Sequence, residues 1–127
     1  MAPNVVQLQK ARLEVTKALQ DLQKQIVALE AAMKKGGAAV PAELKRLRDQ
    51  VKSAGSGLFG LLDKALSESN ETKRVAIYDK AGATARELAK FLGNDAGIKA
   101  LDKNPFAPFT ARVATVKALV LLTRALG

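Results

Sequence analysis

One apolar row runs from Val5 to Met33, and it constrains the fold more than any other feature. Val5, Leu8, Val15, Leu19, Leu22, Ile26, Leu29 and Met33 recur in steps of three and four, with Arg12 the one polar residue in the series. Such spacing is the seam of a long coiled-coil-like helix. A seam of this length has to be covered, so the rest of the chain is expected to supply further helices. The available side chains suit that role. Aromatics make up 4% of the chain and Trp is absent, so the core has to come from Leu, Val, Ile and Ala. Short, straight side chains favour closely packed helices over a β-sandwich.

Helix 1 is predicted over 4–35. Asn4 can cap its first turn, Lys34 and Lys35 suit the negative end of the dipole, and Gly36 supplies a left-handed stop. At ~1.5 Å per residue it is about 50 Å long. One flank of the seam carries Ala11, Ala18, Gln25 and Ala32, and beyond the other flank lie Val6, Leu13 and Val27. That arc is wider than a two-stranded coiled coil needs, so helix 1 should meet two neighbours in a bundle. Lys10, Lys17 and Lys24, spaced by seven, read as its solvated line.

Gly36-Gly37-Ala38-Ala39-Val40 is a turn, and Pro41 fits the first position of helix 2, predicted over 41–68. Its seam is Leu44, Leu47, Val51, Ala54, Leu58, Leu61 and Ala65. A short link between two heptad helices predicts an antiparallel hairpin, expected to hold the fold together. Lys45, Arg46, Arg48 and Lys52 form a candidate basic patch on its first half. Gly55-Ser56-Gly57-Leu58-Phe59-Gly60 matches the GxGxxG spelling of a dinucleotide fingerprint. That motif needs a strand before it, and here a helical heptad both enters and leaves, so a kink or a close helix approach is the better reading.

Ser69 or Asn70 should cap helix 3, predicted over 71–92 and ended by Gly93, with Val75, Tyr78, Gly82, Ala85, Ala89 and Leu92 facing inward. Tyr78 beside Asp79 and Lys80 is read as a core-edge tyrosine rather than an acid–base group. A short helix is expected over 95–103. Asn104-Pro105-Phe106-Ala107-Pro108-Phe109 forbids helix through its two prolines, and its phenylalanines should plug one end of the bundle. Asn-Pro-Phe is also a short ligand for some adaptor domains, but turn chemistry alone accounts for Asn-Pro. The last helix, 109–126, is apolar nearly all round and is expected to be buried on several sides. Val113, Val116, Val120 and Leu121 are its candidate apolar interface with a partner.

The reading is therefore one all-α domain over 1–127: an elongated antiparallel bundle of four main helices with a long heptad hairpin at its N-terminal end. Its chemistry is narrow. The absence of Cys and His removes disulfides, thiolate and imidazole catalysis, and His or Cys metal ligation. No carboxylate cluster suggests a catalytic or metal site, and neither a cofactor nor a small-molecule substrate is expected. Lys and Arg outnumber Asp and Glu by 21 to 12, a net charge of +9, which brings nucleic acid, anionic membranes and acidic proteins into view as partners. Acids are interleaved through most of the chain and no aromatic stacking platform is present, which sets nucleic acid second. The expected function is a non-enzymatic interaction or structural module that binds a protein partner or a second copy of itself. A basic nucleic-acid binder is the alternative, followed by an amphipathic protein of a membrane or granule surface. Met1-Ala2-Pro3-Asn4 lacks a basic segment followed by an apolar core, so a cytoplasmic location is the default expectation.

Overall fold

A computed structural model describes residues 4–126 and contains five helices and no strand among them: α1 (Val5–Lys35), α2 (Ala42–Ser67), α3 (Glu71–Asn94), α4 (Ala96–Ala100) and α5 (Ala111–Leu126). Met1-Ala2-Pro3, weighed above for a leader, lies outside the described residues. The four long helices run alternately up and down. Cross-helix contacts fix this order: Arg12 meets Asp63 and Glu30 meets Arg48 between α1 and α2, while Thr115 meets Ala18 and Ala111 meets Gln25 between α5 and α1. A 3₁₀ turn (Leu101–Lys103) and the proline corner carry the chain from α4 to α5.

The helix ends follow from local chemistry. The Asn4 carboxamide oxygen accepts from the Val6 and Gln7 amides, and the Asn70 side chain accepts from Lys73. Asp95 does the same for the Ile98 amide and so starts α4. At the C-terminus of α1 the Ala38 amide donates to the Met33 carbonyl and the Gly37 amide to that of Lys34. This is a Schellman closure, and its left-handed residue is Gly37, at φ 75°, not Gly36. Pro41 stands one place outside α2, as the residue before Ala42, rather than at the first helical position. Gly93 does not stop α3, which continues through Asn94.

The α1 seam is buried from Leu8 to Met33. Val5 is exposed. With Arg12 opposite Asp63, the antiparallel register puts Val5 opposite Asn70, beyond the end of α2. On α2 the buried row is Leu44, Leu47, Val51, Gly55, Leu58, Leu62 and Ala65, so Gly55 and Leu62 replace Ala54 and Leu61. A straight helix turns every ~3.6 residues and drifts away from a 3.5-residue row, which moves the facing position on by one. On α3, Ile77 is buried while Val75 and Ala89 are half-covered.

Two larger expectations change. Val6, Leu13 and Val27 are exposed, so they do not widen the buried arc. The second neighbour of α1 lies on the other flank, where Ala11 and Ala18 are buried against α5. Nor does the α1–α2 hairpin dominate. Backbones approach closely between α1 and α5, α5 and α3, and α3 and α2, whereas α1 and α2 stand further apart. Alanines and Thr115 line the close contact, while Leu19, Leu47, Val51 and Leu58 hold α1 and α2 at arm's length.

Leu22 is fully buried at mid-seam. Leu22→Ala should cost roughly 2–5 kcal/mol in urea unfolding; a loss under about 0.5 kcal/mol, the range of surface changes, would put the seam in solvent. The glycines of α2 differ among themselves. A Cβ at Gly55 would touch Leu19, but at Gly57 or Gly60 it would meet nothing within 4 Å. Gly57→Ala and Gly60→Ala should therefore each stabilise by about 0.5–1 kcal/mol, as helix propensity dictates. A fall in stability would show that these positions need glycine for another reason.

Candidate interaction surfaces

The basic patch of α2 is present, but its members diverge. Arg48 turns toward α1, where its Nη1 donates to Glu30 at 3.0 Å. Arg46 turns the other way, donating to Asp95 at 2.8 Å with its guanidinium 5.6 Å from the Phe91 ring centroid. Lys45 and Lys52 remain exposed, in no ion pair among the described residues. Two of the four charges are thus neutralised on opposite sides of the helix. Arg12, the polar break in the α1 seam, reaches Asp63 at 2.7 Å and lies over Phe59. Its stem fills a seam position while its head stays at the surface.

The apolar residues of α5 also separate. Val116 is half-covered and packs beside Gly93. Val113, Val120 and Leu121 are 48%, 39% and 50% exposed. Val113 and Val120 share a line with a spacing of seven on the outer face, and Leu121 lies beside it toward α1. Lys117 and Arg124 stand among them, and no acid follows Asp102 in the chain. Beside Leu121 lies a groove of about 310 Å³ between α1 and α5, lined by Gln7, Lys10, Ala11, Glu14, Leu121, Arg124 and Ala125.

Other motifs resolve into structure. Gly55–Gly60 lies wholly inside α2, with no strand before it. Tyr78 is buried in the core. Asn104 folds the proline corner, accepting from the Phe106 and Ala107 amides and donating to the Leu101 carbonyl. Phe109 is the buried plug, while Phe106 lies partly exposed over Gly36. Among the described residues no three His, Cys, Asp or Glu side chains gather to hold a metal, and no helix is long and apolar enough to cross a membrane.

Two polar devices went unread in the sequence. Gln25, in the alanine row of α1, reaches the start of α5, where its amide oxygen accepts from Ala111 at 2.8 Å and its nitrogen donates to the Thr110 hydroxyl. Arg112 is buried, donates to the Leu92 carbonyl at 2.7 Å and grips Asp102 with two nitrogens. It joins α5, α3 and the 3₁₀ turn at one point. The only hint was an arginine near the start of a mostly apolar helix.

The pair is asymmetric, since Arg112 is buried and Asp102 keeps access to water. Asp102→Ala strands a buried charge and should cost about 3–5 kcal/mol. Arg112→Met leaves a solvated carboxylate and one unpaired carbonyl, about 1–3 kcal/mol. Denaturant unfolding that placed Arg112→Met as the costlier change would show that the charge is not buried.

Compared with models of known protein families, with curated proteins and with solved structures, the chain matches none of them.

Proposed function

We propose that this chain is a non-enzymatic helical interaction module that binds a protein partner through the outer face of α5. The observation that carries this reading is the exposure of Val113, Val120 and Leu121 on a helix whose other face is the core of the bundle. Large apolar side chains clustered on one outer face mark an interaction surface, whereas scattered single ones do not. Lys117 and Arg124 lie on the same helix, one before Val120 and one after Leu121, and the last acid of the chain is Asp102. The face therefore combines an apolar contact with charge of a single sign, which selects partners by electrostatics while apolar burial supplies affinity. The sequence also lacks the imidazole and thiol groups that most often carry acid–base and nucleophilic catalysis.

A nucleic-acid binder is the second reading, favoured by the net charge of +9. Against it, Arg46 and Arg48 are each occupied by a carboxylate, and Asp49 interrupts the same turn of helix. The two readings separate by salt. Phosphate contacts weaken ~10³-fold or more between 50 and 200 mM salt when six or more are made.

Affinity capture from the source cell, at about 150 and about 500 mM salt, tests both, because screening removes exposed charge contacts at the higher value. The interaction reading expects a protein retained at both salts by the wild type and lost by the Val113→Glu/Val120→Glu variant. Nucleic acid retained only at low salt, and lost when Lys45, Arg46, Arg48 and Lys52 are reversed to Glu, would put the second reading first.

A further inference from the structure

We infer that the groove between the N-terminal half of α1 and the C-terminal half of α5 is a docking site for an acidic amphipathic helix of another protein. The inference rests on the reading of α5 as an interaction face and names the chemistry of the occupant.

The groove has an apolar floor and a basic rim. Ala11 and Ala125 form the floor, where their small side chains leave the depression that Leu121 borders. Lys10 stands on one wall and Arg124 on the other, and both side chains are exposed. Lys17 follows Lys10 two turns along α1, and Lys117 precedes Arg124 two turns back on α5. Glu14 is the one acid on the lining, and Asp21 is the next along α1. The positive charge is not held by intramolecular pairs: none of Lys10, Lys17, Lys117 and Arg124 is in an ion pair among the described residues.

Shape and charge together select the occupant. A concave slot between two antiparallel helices takes the apolar knobs of a third helix, read at i, i+3 or i+4 and i+7. Lys117 and Arg124 on the α5 wall, with Lys10 facing Arg124 across the floor, favour carboxylates flanking that apolar stripe. A second copy of this chain fits poorly. Two α5 faces brought together would set Lys117 and Arg124 against their own images, with no acid on α5 to answer them. A flat anionic bilayer would meet the same charge but would leave the slot between the helices unfilled.

The test uses the whole chain and a fluorescein-labelled synthetic helix of Leu, Glu and Ala, with Leu at helical spacing and Glu along both flanks. The matched peptide carries Lys in place of every Glu. Fluorescence anisotropy should show saturable binding of the acidic peptide and none of the basic one. Leu121→Glu and Arg124→Glu should each weaken it by tenfold or more, about 1.4 kcal/mol. Leu121 and Arg124 are exposed, so both variants should keep the wild-type circular dichroism and unfolding midpoint. Val27→Glu, on the outer side of α1, should bind as the wild type does. Equal binding of the two peptides, no binding of the acidic one, or indifference to Leu121→Glu overturns the proposal. So does Leu121-dependent binding to phosphatidylglycerol vesicles in place of the peptide, or Leu121-dependent dimerisation in sedimentation equilibrium. Loss of the cellular partner in the Val113→Glu/Val120→Glu variant would still support the broader interaction reading, so the two fail separately.

Discussion

The bundle depends on how closely α5 approaches α1. Ala11 and Ala18 on one helix, and Ala111, Thr115 and Ala118 on the other, are all buried. They are small enough for the Thr115 hydroxyl to come within 3.2 Å of the Ala18 carbonyl across the interface, while also reaching Ala111 one turn back at 2.7 Å. A hydroxyl has one proton to give, so it is shared between a local and a cross-helix acceptor. Tight packing on this side lets Leu19, Leu22, Leu119 and Leu122 fill the centre, and the wider α1–α2 spacing follows from the larger residues there.

Two polar contacts fasten one end of the bundle. Gln25 satisfies the first amide of α5, which has no partner within its own helix. Arg112 satisfies a carbonyl near the end of α3 and ties it to Asp102. Both contacts lie at the end of the bundle that holds the α1–α2 turn, α4 and the proline corner. That end is pinned by directed hydrogen bonds. The opposite end, where α1 begins and α5 stops, is held by packing and the Arg12–Asp63 pair. The groove beside Leu121 lies toward this less constrained end, where a partner can be accommodated with little disturbance of the core.

Much of this was legible in the residues. Period and capping gave the helices to within a residue or two, because Asn4, Asn70 and the Gly36–Gly37 pair act locally. Ordering the neighbours was harder. Heptad leucines marked what is buried but not which helix buries it, and the short 36–41 link suggested a dominant hairpin. The deciding signal was the weaker row of Ala11, Ala18 and Gln25, since small residues determine close approach. The interface residues divided for a similar reason: Val113, Val116 and Val120 look alike in sequence, yet Val116 packs beside Gly93 while Val113 and Val120 are exposed. Arg46 and Arg48 were read as one patch because they lie two residues apart in sequence, yet the helix turn sends them to acids on different elements.

Close approach of α1 and α5 is the claim on which the rest stands, and a single enlarged side chain tests it. Ala18 is buried against α5, whereas Ala31 on the same helix faces solvent. Overpacking a filled contact typically costs about 1–3 kcal/mol, and an exposed helical Ala→Leu change stays within about 0.5 kcal/mol. Ala18→Leu should fall in the first class and Ala31→Leu in the second, measured by urea unfolding of the two variants side by side. Equal stability of both variants with the wild type would mean that α5 does not lie against Ala18, and the bundle would have to be reassembled around a different neighbour of α1.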